Sequence, residues 1–107
     1  MAQQTLNPLN SVCIVGVLAS ECNLRELPDG RSVAQWRMKI SPPGEISTSV
    51  PCASDNPAIQ KKLIGAAVGT AFSLEGSVTT RFWVAAGQTG SRVEILVTRA
   101  EKCKLST

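Results

Sequence analysis

The side chains of this 107-residue chain that could do chemistry are cations and one aromatic spaced two apart on strand-like segments. In residues 72–83, Phe72, Leu74, Val78 and Phe82 alternate with Ser73, Glu75, Ser77, Thr79, Arg81 and Trp83. A period of two puts the first set on one face of a strand and the second on the other. The apolar face makes a core. The polar face carries a guanidinium, an indole and the Thr79 hydroxyl, groups that hold a phosphate and stack a base. Residues 32–40 repeat the pattern: Ala34, Trp36, Met38 and Ile40 share a core face, with Trp36 as a packing residue, and Val33, Gln35, Arg37 and Lys39 lie opposite. Arg92, near the start of the last strand, is a further phosphate partner. The candidate nucleic-acid-binding set is therefore Trp83, Arg81, Thr79, Arg37, Lys39, Gln35 and Arg92. It predicts about three to five phosphate contacts per subunit and, at about −0.7 per contact, a log–log salt slope of roughly −2 to −3.5.

Other chemistries lack their residues. The chain has no histidine, which removes the commonest general base, and its carboxylates stand singly. Phosphate-loop, nucleophile-elbow and dinucleotide glycine motifs are missing, so a non-enzyme without a cofactor is expected. Cys13, Cys22, Cys52 and Cys103 are scattered with no Cys-x-x-Cys pair, which predicts no metal site. With no secretory signal, transit peptide or long apolar run, a soluble cytoplasmic protein with reduced, mostly buried thiols and no membrane partner is expected. A net charge of +3 permits polyanion binding without requiring it.

These side chains need a scaffold, and the length supports one domain with one core. Residues 1–9 are polar and aperiodic, a flexible arm; residues 10–104 form the domain, and 105–107 a short end. Residues 11–18 are β-branched and apolar on both faces. Two readings of that segment stand side by side: a strand interior to the monomer, or a strand at a two-fold subunit interface made by Val12, Cys13, Ile14, Val15 and Val17. Residues 23–27 and 32–40 form a hairpin around Pro28-Asp29-Gly30. After a break at 41–44, residues 46–53 read as a short strand with Ile46, Thr48, Val50 and Cys52 on one side, at an edge or ending at Pro51. Asn56 and Pro57 start a helix that docks Ile59 and Leu63, leaves Gln60, Lys61 and Lys62 solvated, and ends at Gly65 or Gly69. A hairpin loop at 84–90 leads into a last strand at 91–100. Five strands with one helix between the third and fourth is the order of an all-β, Greek-key OB-fold barrel.

The run 10–18, then Leu24-Arg25 with Pro28-Asp29-Gly30 and Val33-Ala34, then Glu75-Gly76 followed by Thr80-Arg81-Phe82-Trp83, resembles the bacterial single-stranded DNA-binding protein family. The resemblance implies a homodimer or homotetramer that binds single-stranded DNA with little sequence preference in replication, recombination or repair, in the bacterial cytoplasm and associated with the nucleoid. It also implies that Trp83 stacks on bases. Three departures accompany it, the first being a loop at 41–45 shorter than is usual in the family. Residues 46–53 carry none of the family's stacking aromatics, and the chain stops at Thr107 without the linker and acidic tip that recruit replication partners. A short, tail-less member is therefore expected. The primosomal replication protein N family, with primosome proteins as partners, is the nearest alternative. A reading from a different class is a degenerate OB-fold that serves as a protein interaction module.

Overall fold

The computed structural model describes residues 5–41 and 44–105, apart from the side chains of Trp83 and Ala85. Its elements are β1 (Val12–Leu18), β2 (Asn23–Glu26), β3 (Ser32–Ile40), β4 (Thr48–Ser54), α1 (Pro57–Ile64), β5 (Ala71–Ala85) and β6 (Gln88–Lys102). The strands form one sheet in the order β1-β5-β6-β4-β3-β2, closed into a barrel by a β1–β3 pairing. Five strands make the ring and β2 lies outside it as the second arm of the β3 hairpin. All pairings are antiparallel except β4 with β6. One helix between the third and fourth barrel strands completes the expected OB-fold.

Closure of so small a ring brings backbones close together. At Gly16, where β1 crosses onto β3, an added Cβ would collide with the Lys39 carbonyl oxygen, and at Gly76 it would collide with that of Leu96. At Gly76 the β5–β6 register also shifts, with Glu75 opposite Arg99 and Gly76 opposite Val97, so Thr98 is the extra residue of a bulge that bends the sheet. Inside the ring, Leu18, Met38, Cys52, Leu63, Phe72 and Leu74 are all at most 1 % exposed. Burial of each large apolar side chain stabilises the barrel by about 1.5–3 kcal/mol. Trp36 is buried with them, as its face predicts, and its indole N–H has no acceptor among the described residues.

The helix starts where expected. The Asn56 side chain accepts from the Ala58 N–H at 2.9 Å, Pro57 occupies the first turn, and Gly65 ends the helix. Gln60 is a correction: instead of being solvated it is buried, donating from Nε2 to the carbonyls of Ser32 at 2.9 Å and Ser54 at 3.1 Å. These two bonds tie α1 to β3 and β4. β4 begins at Thr48, so Ile46 precedes it and is 93 % exposed. Pro51 sits within β4 rather than at its end. The ring tolerates it because the β6 pairing starts only at Cys52, leaving no partner for the missing N–H.

The segment 84–90 is strand on both sides of a tight turn. Ala86 and Gly87 both have positive φ, 52° and 78°, the conformation of a two-residue hairpin turn that matches strand twist. β5 and β6 therefore run 15 residues each, roughly 50 Å at strand rise. That length is comparable to the 51 Å longest extent of the molecule. A ring of short strands cannot cover such a ribbon, so its distal half projects. Val78 and Phe82 lie on the same strand face as Phe72 and Leu74, but they are 42 % and 77 % exposed because the barrel has ended beneath them. The thiols are all free; Cys52 is buried, Cys22 and Cys103 partly so, and Cys13 is exposed, so their burial is less complete than expected.

Candidate nucleic-acid interface

A groove of about 200 Å³ lies between the β2–β3 hairpin and the β5–β6 ribbon. Leu27, Val33 and Leu96 give it an apolar wall, and Arg31, Arg81, Thr79 and Asp55 supply its polar groups. The hairpin side is locally braced: the Leu27 N–H donates to the Arg31 carbonyl at 2.7 Å, the Gly30 N–H to the Leu27 carbonyl at 2.9 Å, and Arg31 donates from Nε to Asp29 at 2.7 Å. The Arg31 amide, and after it that guanidinium, hold the Asp29 carboxyl below the usual carboxylate range.

The ribbon side is organised by Glu94. Its carboxylate is fully buried, accepts from Arg81 Nε at 2.5 Å and pairs with Arg92 at 3.4 Å. Register explains the cluster, because Thr79 is opposite Glu94 and Arg81 is opposite Arg92, so three charged side chains and a hydroxyl meet on one face. Nε is the part of Arg81 that Glu94 engages; its two Nη groups have no protein partner among the described residues, and the side chain is 29 % exposed. A guanidinium held rigid on one edge and open on the other presents donors to an anion at small entropic cost.

Thr79, Arg81 and Arg92 are thus brought together as the sequence expects. Gln35, Arg37 and Lys39 lie outside the groove lining but on the strand face of β3 that Val33 presents to it. Cross-strand partners connect them: Gln35 is opposite Ala53, Ala53 opposite Leu96, and Leu96 opposite Ser77, a single row over four strands. Lys39 is exposed, whereas Arg37 donates from Nε to Ser49 Oγ at 2.8 Å and from Nη to the Ser49 carbonyl at 3.1 Å. The backbone of Trp83 pairs with Gly90, while its side chain, the proposed stacking platform, lies outside the described residues.

In β1, Ile14 belongs to the core and Val12 packs against it, so the outward face of the expected interface set is Cys13 and Val15, both exposed, and Val17, partly so. Glu94, Arg31 and Leu27 were not picked out from the sequence. The signal for Glu94 was the tight turn: once Ala86-Gly87 closes the hairpin, pairing alone puts Glu94 beside Arg81 and Arg92.

No protein-family model and no curated protein matches the chain by sequence. Solved structures match by shape. A small single-stranded DNA-binding protein from Streptomyces coelicolor aligns with a TM-score of 0.67 at 17 % identity, over 87 % of this chain and 93 % of that one. The Plasmodium falciparum SSB in complex with ssDNA gives 0.66 at 17 % identity, over 96 % and 100 %. The mitochondrial single-stranded DNA-binding protein Rim1 of S. cerevisiae gives 0.74 at 13 %, over 94 % and 100 %. What these identities share with the chain is the fold. The chain is an OB-fold.

Proposed function

We propose that this protein binds single-stranded DNA with little sequence preference, in replication, recombination or repair, and that it works in the cytoplasm in association with the nucleoid. The observation that carries the reading is Arg81, fixed by a buried carboxylate beside the Thr79 hydroxyl, with two Nη groups that have no partner among the described residues, at a groove whose wall is apolar. Phosphates meet the guanidinium and Thr79, while sugars and bases lie against Leu27, Val33 and Leu96. Gln35, Arg37 and Lys39 extend the track along β3, and Trp83 is assigned to base stacking from its place in the sequence. The three solved proteins with this shape are single-stranded DNA-binding proteins by name, which supports the same ligand here. Titration of oligothymidine at low salt, followed by anisotropy and tryptophan emission, tests the reading. Binding should quench emission, and Trp83→Ala should lose roughly 1 to 3 kcal/mol without unfolding the protein.

A homo-oligomer joined through β1 belongs to the same proposal. β1 pairs with β5 from Val12 to Val17 but with β3 only at Val17 and Leu18. Its other edge is thus open over most of its length among the described residues, and an open edge flanked by Cys13 and Val15 suits antiparallel pairing with a second copy across a two-fold axis. Light scattering that reports a monomer up to tens of micromolar would remove this part. The reading as an interaction module, or as a replication-restart factor of the primosomal replication protein N kind, draws on one observation: Phe82, Val84 and Val93 are each more than half exposed on the projecting ribbon.

A further inference from the structure

The Phe82 side of the ribbon faces away from Arg81 and has its own composition. Phe82 is 77 % and Val84 75 % exposed, and an open surface depression of about 490 Å³ lies beside them, lined among the described residues also by Thr89, Gly90 and Ser91. Phe82 stands opposite Ser91 and Val84 opposite Thr89, so small residues leave the ring uncovered. Among the described residues no charged one lines this depression. A phosphate therefore finds no counter-charge there, whereas a neutral planar group finds an aromatic face and two hydroxyls for its polar edge.

The strand edge links this depression to the groove. The Asn10 carboxamide donates to the Val78 carbonyl at 2.7 Å and accepts from the Val78 N–H at 2.8 Å, standing in for a paired strand just before β1 begins. Val78 therefore directs its backbone groups away from β6. By the alternation of an antiparallel ladder, Thr80, Phe82 and Val84 direct theirs the same way. Beyond Asn10, no strand covers that edge among the described residues. A row of outward N–H donors thus runs between the Arg81 face and the Phe82 face.

We infer that Phe82 is a second base-stacking site, reached by a single strand that leaves the groove at Arg81, crosses the open edge of β5 with its phosphates on the outward N–H groups, and seats a base in the Phe82 depression. This inference rests on the single-strand reading above. It would supply part of the stacking that β4, without aromatics, does not.

The test compares oligothymidines of about 4 and about 16 nucleotides, the range of OB-fold site sizes, on the parent, Phe82→Ala, Phe82→Leu and Phe82→Tyr. Phe82 is exposed, so all four should melt alike. Phe82→Ala and Phe82→Leu should weaken the longer oligonucleotide about 5- to 150-fold, leave the shorter one and the salt slope unchanged, and Phe82→Tyr should restore parental affinity. Equal affinity of parent and Phe82→Ala for the longer oligonucleotide would overturn the inference while leaving the groove reading intact. So would a Phe82→Ala variant that changes only the mass seen by light scattering, which would make the face a protein contact. A parent that binds neither oligonucleotide would overturn both.

Discussion

Arg81 donates to Glu94 at 2.5 Å along a diagonal of the β5–β6 ladder, since the residue directly opposite Glu94 is Thr79 and the residue directly opposite Arg81 is Arg92. The arrangement gives the groove a fixed guanidinium, and it lowers the local charge. Two arginines share one carboxylate, so the cluster carries a net +1 rather than +2. The three to five phosphate contacts expected from the sequence accordingly fall to about two to four, and the salt slope to roughly −1.4 to −2.8 per subunit.

Removing Arg81 alone strands a fully buried carboxylate with only the longer Arg92 contact. Arg81→Ala should therefore cost about 3 to 5 kcal/mol in urea unfolding, whereas the double change Arg81→Met, Glu94→Met should recover most of that loss by replacing the pair with apolar groups. A double variant no more stable than the single one would show that the pair is not the source of the cost.

Gly76→Ala should destabilise the barrel by at least about 1 to 3 kcal/mol, because the new methyl meets the Leu96 backbone, which cannot rotate aside. Gly30→Ala has open space around its Cβ, with φ at +89° as its only obstacle, so its cost should stay near about 1 kcal/mol. Thermal melts of the two variants check the order.

Trp36→Ala should cost about 3 to 5 kcal/mol through lost burial and the cavity left. Trp36→Phe should cost clearly less, since it keeps a ring in the core and removes a buried N–H that has no acceptor. Neither change should alter the emission response to oligothymidine of the remaining Trp83.

Burial, reinforced by the nearby Glu94 charge, pushes the Cys52 thiol up to about 12. The unfolded thiol ionises near 9, so between those values the unfolded state loses a proton that the folded state keeps. Stability should hold below about pH 9 and fall above it, by up to about 1.4 kcal/mol per pH unit from this group. Cys52→Ala should flatten that part of the curve.

Local pattern carried much of the architecture into the sequence. The alternation in β3 sorted Trp36 from Arg37 correctly, the Asn56-Pro57 pair marked the helix start, and strand order led to the fold. What did not show were properties set by distance along the barrel. Phe82 has the same parity as Phe72 and reads as core, yet the ribbon outruns the ring, and nothing local to Phe82 says where the ring stops. Gln60 reads as solvated because its partners, the carbonyls of Ser32 and Ser54, come from strands brought beneath the helix only by closure. Glu94 sits among Val93, Ile95, Leu96 and Val97, and its role emerges only when a two-residue turn fixes which residues it faces.

The central claim is that the groove beside Arg81 holds single-stranded DNA. Its most direct test is the anisotropy of labelled oligothymidine titrated with the parent protein across a series of salt concentrations, with unlabelled duplex of equal length as competitor. The account predicts binding at low salt, a slope of roughly −1.4 to −2.8 per subunit, and weak displacement by duplex. No change in anisotropy at tens of micromolar protein, or displacement by duplex as effective as by single strand, would contradict it.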